Sequence, residues 1–407
     1  MFVRVVPSCP PWSPIVVSLC DAVTPRDRVY RVLALCTQRP GNPHVTAALP
    51  QALAVIDPRI DLVQRAEEHG LAPLVLAHLR AAKVIVPAEV NVALFARQVQ
   101  HVRAAVVRTR VVGDVVRVLA RAEIPVLVLK GAALAALVYG DSAHRPMRDV
   151  DLLLRRADAR RAFDELKRAG FSPKPADASA YHHHLPALVK VEDDVSVVIE
   201  LHHELLTRAP FATPVEYDTV AASAQAFSWA GQTMRTLGRE DMLWHVYAHA
   251  FDRSRVPAGL RLISIADLVH AIEAWADELD WDTLRRRHGR LVRALAHVGR
   301  LTPWSDRVAD RLELRATTHA ATVAVSPGRA VSTSPHWSSL RARDVCWPPD
   351  WWFQMRYGIN GPMSWLWYRV IGHPCAVLAA GAATAARGAS RYLRGNPAGH
   401  HLLEDQV

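Results

Sequence analysis

A chain of 407 residues, half of them hydrophobic, can bury a real core in two or three lobes, which makes a soluble globular protein the default. The formal net charge of +10 is almost all arginine, with only five lysines; this bias follows base composition and is discounted as a nucleic-acid signal, although a basic surface suits anionic ligands. The five cysteines, Cys9, Cys20, Cys36, Cys346 and Cys375, form no C-x-x-C pair, which argues against a zinc ribbon or a disulfide framework.

Residues 1–25 are expected to be an unstructured leader. Pro7, Pro10, Pro11 and Pro14 break its apolar patches, so it lacks the uninterrupted core of a signal peptide. No run of eighteen apolar residues occurs, so no spanning helix is expected, and the location is read as cytoplasmic. Residues 26–121 read as a helical N-terminal segment. Apolar positions over 61–69 recur at helical spacing and stop at Gly70, and 102–121 continue as a long helix. Ile124-Pro125 breaks that helix and hands over to an apolar strand at 126–129.

The core is expected over 122–235. Lys130-Gly131-Ala132 turns the first strand into a short helix, and a second strand then carries Asp149 and Asp151. Side chains alternate along a strand, so both carboxylates share one face and repel each other unless a cation lies between them. Magnesium suits such oxygen ligands and leaves positions for phosphate oxygens, which is the start of a phosphoryl or nucleotidyl transfer site. An amphipathic helix over 157–169 follows, closed by Gly170. Two β-like runs, 187–191 and 195–201, flank Glu192-Asp193-Asp194 and predict an antiparallel hairpin carrying a third acid, Glu200. Residues 236–301 return to helix, 302–345 resemble a linker, and 346–407 form an aromatic-rich tail.

Taken together these motifs resemble the uncharacterised nucleotidyltransferase family, within the superfamily of DNA-polymerase-β-like nucleotidyltransferases. The resemblance rests on Leu129-Lys130-Gly131, Tyr139, Arg145, Asp149-Val150-Asp151-Leu152-Leu153 and Ile199-Glu200-Leu201-His202, and extends to His249 and Asp267. It implies an α+β fold, with a small mixed sheet of nucleotidyltransferase topology embedded in helical N- and C-terminal segments. It also implies metal-dependent transfer of a nucleoside monophosphate from a nucleoside triphosphate to an acceptor hydroxyl, with release of pyrophosphate. Asp149, Asp151 and Glu200 would be catalytic and would hold Mg2+ or Mn2+. Lys130, Gly131, Ala132 and Arg145 would bind the nucleotide, with Arg148 and His202 supporting the ligands from behind. The wider superfamily's usual Gly-Ser or Gly-Gly turn is here Gly131-Ala132, whose backbone N–H groups still suit phosphate. The acceptor is left open among small molecules, RNA ends and proteins.

Two other readings compete: a nucleotide-binding module without turnover, and an antitoxin-like or assembly protein on the same fold. His182, His183 and His184 invite a metal reading that strand alternation argues against. His245 and His249 have the spacing of a zinc helix but lack its glutamate, so they read as packing or capping residues. The tail, with Trp347, Trp351, Trp352, Trp365 and Trp367, suits partner or membrane-surface docking, although burial against the helices is the commoner fate of such residues.

Overall fold

The computed structural model describes residues 25–174, 184–205, 215–251, 260–314, 348, 350–359 and 361–379. A mixed sheet of seven strands is flanked by helices from both ends of the chain, so the α+β architecture stands. No helix among the described residues is long and apolar enough to cross a membrane.

Helices α1 (Pro25–Leu35), α2 (Pro43–Ala54), α3 (Leu62–Glu68) and α4 (Ala72–Ala81) form the N-terminal layer. The expected stop at Gly70 is real: Gly70 has φ +72°, and a Cβ there would meet the Arg261 guanidinium at 2.8 Å. Helix α5 (Ala88–Arg121) is 34 residues long and begins well before the stretch expected from apolar spacing. Extended Pro87 opens it, and Glu89 in its first turn complements the helix dipole. Its inner face buries Val107, Val111, Val112, Val115 and Leu119.

The sheet runs in the order β3-β4-β5-β2-β1-β7-β6. Strand β1 (Val126–Val128) pairs antiparallel with β2 (Val150–Leu154), and β2 pairs parallel with β5 (Val195–His202). Between them lie helix α6 (Lys130–Leu137), helix α7 (Arg156–Arg168), and the strands β3 (Ser172–Pro173) and β4 (Leu188–Glu192). The β4–β5 hairpin forms as its sequence predicts. Asp193 and Asp194 both take positive φ, 49° and 57°, the pattern of a two-residue turn whose twist matches the strands. Helix α7 turns Ala159, Ala162, Phe163 and Leu166 onto the sheet and ends close to the expected boundary.

The sequence reading missed one hairpin. After the short helix α8 (Tyr217–Ala221), strands β6 (Gln225–Trp229) and β7 (Gln232–Thr236) turn at Ala230-Gly231, both with positive φ. Strand β7 extends the sheet beside β1, where the Thr236 hydroxyl donates to the Val128 carbonyl at 2.6 Å. Helices α9 (Arg239–Phe251), α10 (Leu262–Trp275), α11 (Trp281–Val298) and α12 (Asp306–Arg311) complete the C-terminal layer. Helix α10 is buried almost all round, as an interior helix must be. The start of the expected linker is instead packed: Thr302 and Trp304 are fully buried, while 315–347 lie outside the described residues. In the aromatic tail, helix Asp350–Tyr357 packs on α11 and buries Trp352, Phe353 and Met355. Those residues belong to the core; Trp347 lies outside the described part.

Candidate active site

Strand β2 lies between β1 and β5, so all five of its residues are buried, including one carboxylate. The parallel register sets Asp151 directly beside Glu200 and Leu153 beside His202. Because side chains alternate, Asp151, Glu200 and His202 emerge on one face. The His202 Nε2–H donates to Asp151 Oδ1 at 2.8 Å and lies 3.4 Å from Glu200 Oε2. Each of the three offers a ligand atom within 4.8 Å of the others, and this is the one such group of acids, histidines or cysteines among the described residues. Two carboxylates and an imidazole are a fitting donor set for a divalent ion.

Lys130, the first residue of α6, closes the cluster. Its Nζ lies 3.2 Å from Asp151 Oδ2, with both side chains largely buried. The backbone there is held too, since Leu129 N donates to the Asp151 carbonyl at 2.9 Å. Lys130 sits at φ +42°, a left-handed conformation that few residues with a side chain adopt, so the fold strains the backbone at this corner.

Electrostatics follow from these contacts. Burial alone would push the Asp151 carboxyl up, but the Lys130 ammonium and the His202 hydrogen bond hold it well below the usual carboxylate range. Burial opposes charge on His202, yet the hydrogen bonds to Asp151 and Glu200 raise its pKa above the ordinary value. Glu200 is likewise lowered: burial is the largest single effect and raises it, but the hydrogen bond and charge of His202, with the charge of His184, together outweigh it. Asp149 lies one residue before β2, accessible to solvent and outside the group of three. Partial withdrawal from water, then the charge of Asp151, raises its carboxyl.

Arg145 is placed differently from the nucleotide contact expected of it. Its Nε and Nη2 form a fork on Asp267 at 3.0 and 2.6 Å, and Nη1 donates to the Pro146 carbonyl. The Tyr139 hydroxyl donates to the same Asp267 at 2.7 Å, and the Tyr139 ring stacks on His270 with centroids 4.1 Å apart. Arg145 also explains Gly131: a Cβ there would stand 2.5 Å from the guanidinium carbon. The glycine is therefore required by close approach rather than by an unusual backbone angle. The Ala132 side chain is buried, which leaves only its backbone for a ligand.

Sequence reasoning set His245 and His249 aside, yet α9 brings both to this centre. His245 is buried, with Nε2 lacking a hydrogen-bond partner among the described residues. Burial, then the Lys130 charge, lowers its pKa to about 3. His249 lies close enough to help hold the Asp151 carboxyl down. The i, i+4 spacing was visible; their target was not, because it depends on how α9 docks. Of the histidine run, His184 tilts against His202 with ring centroids 5.1 Å apart, and His182 and His183 lie outside the described residues.

Comparison with known proteins bears on this geometry. A family model described as uncharacterised nucleotidyltransferase matches residues 60–301, more than half of the chain. No curated protein matches. Among solved structures, the antibiotic-resistance factor ANT(2'')-Ia, determined in solution, is similar at 13% identity and a TM-score of 0.31, over 46% of this chain and 98% of that one. A likeness that loose carries no argument about the site.

Proposed function

The chain belongs to the uncharacterised nucleotidyltransferase family, and from that premise we propose that it moves a nucleoside monophosphate from a nucleoside triphosphate to an acceptor hydroxyl, releasing pyrophosphate. The observation that carries this reading is the register of β2 on β5, which brings Asp151, Glu200 and His202 together beside Lys130. The donor set suits Mg2+ or Mn2+, and the imidazole tilts it toward the transition ion. Asp151, Glu200 and His202 would hold the ion, with Asp149 at its accessible edge.

A bound divalent ion offsets charge on the triphosphate and acidifies an acceptor hydroxyl. The protein's own groups do the rest. Asp151 is kept ionised by Lys130 and His202, so the centre is ready for a cation without a proton first leaving that carboxyl. Lys130 then pairs with phosphate oxygens as negative charge shifts toward the leaving pyrophosphate. Backbone N–H groups of Gly131 and Ala132, at the start of α6, face the same charge. Glu200 is ionised and, with 24% of its side chain exposed against 7% for Asp151, is the carboxylate best placed to take the acceptor's proton. Arg145 acts through Asp267 and Gly131, fixing the turn on which Lys130 sits.

The test incubates the full chain with each α-labelled nucleoside triphosphate and Mg2+ or Mn2+, with and without cell extract. Label should pass to a product with the wild type and fail to pass with Asp151→Asn. Metal-dependent nucleotide binding without transfer in any extract would favour a binding module instead.

A further inference from the structure

Residues 362–379 form a helical stretch turned inside out. It runs through Pro362–Trp367 and then widens to a π-turn over Tyr368–Gly372, where the His373 N–H donates to the Tyr368 carbonyl. Pro374 follows that turn and has no N–H for the Val370 carbonyl, which accounts for the widening. The polar groups lie on the inner side. Arg369 is buried, donates to the Pro348 carbonyl at 2.6 Å and lies over the Phe353 ring. His373 is buried with Nδ1 2.9 Å from the Tyr357 hydroxyl, and the Tyr368 ring stacks on Tyr357. These contacts fix the stretch on helix Asp350–Tyr357 and decide which side faces out.

The outer side is apolar. Met363, Leu366, Trp367, Val370, Ile371 and Leu378 are each between 50% and 76% exposed. A helix that faces water shows the reverse arrangement, with its charges outward and its apolar stripe on the core. A lone exposed apolar residue is ordinary, but six on one side of a short helical stretch mark a docking surface.

Charge selects the occupant. Between Asp350 and Glu404 the sequence carries five arginines, Arg356, Arg369, Arg387, Arg391 and Arg394, and no acid. The last three lie outside the described residues. Helix Asp350–Tyr357 packs on α11, and residues 283–305, most of them in α11, add six more arginines, again without an acid. Two of these, Arg290 and Arg293, hold the carbonyls of Arg356 and Gly358 where the terminal stretch begins. A second copy of so basic a region would be repelled. Anionic lipid matches it twice, with phosphate headgroups for the arginines and an acyl boundary for the apolar side chains. Trp367, an apolar ring with one N–H, suits the level of the headgroups. No helix among the described residues can cross a membrane, so the stretch would lie along the surface.

We infer that this face docks on an anionic lipid surface. The inference is independent of the nucleotidyl-transfer reading. Co-flotation of the full chain with vesicles of phosphatidylcholine, alone or mixed equally with phosphatidylglycerol, tests it. Binding to the mixed vesicles should be at least about tenfold tighter than to the neutral ones, and should weaken at high salt. Leu366→Glu combined with Ile371→Glu should weaken it at least about tenfold with thermal melting unchanged, because both side chains are already exposed. The milder pair Leu366→Ser and Ile371→Ser should fall between. No binding to the mixed vesicles, equal binding to both kinds, or equal binding by wild type and both double variants would overturn the inference. So would a dimer in sedimentation velocity that the double variants dissolve, which would assign the face to a second copy.

Discussion

An aspartate on the middle strand of a sheet is destabilising unless its charge is met, and Asp151 is met twice, by Lys130 at 3.2 Å and His202 at 2.8 Å. Arg145 and Asp267 pose the same problem on the other side of the turn, and their forked pair also receives the Tyr139 hydroxyl. Removing one partner of such a pair leaves a buried charge alone. Asp267→Asn should therefore lower unfolding free energy by about 3–5 kcal/mol in chemical denaturation. A loss below about 1 kcal/mol would show that the pair is far better hydrated than its burial implies. That Asp151 and Glu200 stand on strands whose spacing sets their faces was legible from the sequence, whereas Asp149, expected beside them, lies one residue before β2 and outside their group. The commitment of Arg145 to Asp267 was not legible, since the two are 122 positions apart and meet only through the packing of α10.

At the scale of elements, the site is a corner where β1 ends, α6 begins and the Arg145 turn crosses over them. The corner tolerates no side chain at position 131, because the guanidinium of Arg145 fills that space. Gly131→Ala should destabilise the fold by about 1–3 kcal/mol through overpacking, and should weaken nucleotide binding by shifting Lys130. Full nucleotide affinity in that variant, measured by calorimetry, would separate the corner from the ligand. The strands at 126–129 and 195–201, and the hairpin joining 187–191 to the latter, were readable because apolar runs were bounded by turn residues. The β6–β7 hairpin escaped notice. Its alternation is polar on the outer face, with Phe227, Trp229 and Met234 supplying the buried side, and its turn is the unremarked pair Ala230-Gly231. Helix α5 was underestimated for a related reason. Val92, Phe95, Val99, Val102 and Val106 point outward, which blurs the apolar stripe from which a helix is read.

Across the whole molecule, buried histidines set the response to acid. Burial lowers His69, His245 and His270 to about 3 and His78 to about 4. A folded-state pKa below the unfolded value of about 6.5 gives stability that is present above that pH and lost as pH falls toward the folded value. Each such group then contributes a slope on the order of 1 kcal/mol per pH unit. His202 runs the other way: its raised pKa adds stability that is present below about pH 6.5 and lost as pH rises through the folded value. Among the described residues nine histidines are lowered and one is raised, so the melting temperature should fall steeply between about pH 6.5 and pH 4.5, before most carboxylates titrate. A flat profile over that range would mean the histidines are not sealed from water. The burial itself could be foreseen only in part, because a histidine in an apolar helix reads the same whether it faces the core or a neighbour.

The most direct test of the central claim is calorimetric titration of a non-hydrolysable nucleoside triphosphate into wild type and Asp151→Asn, with Mn2+ present and then chelated. Metal-dependent binding by the wild type, at least about tenfold weaker in the variant, is the predicted result. Equal binding by both proteins, or binding indifferent to the metal, would contradict a nucleotidyl-transfer centre built on Asp151, Glu200 and His202.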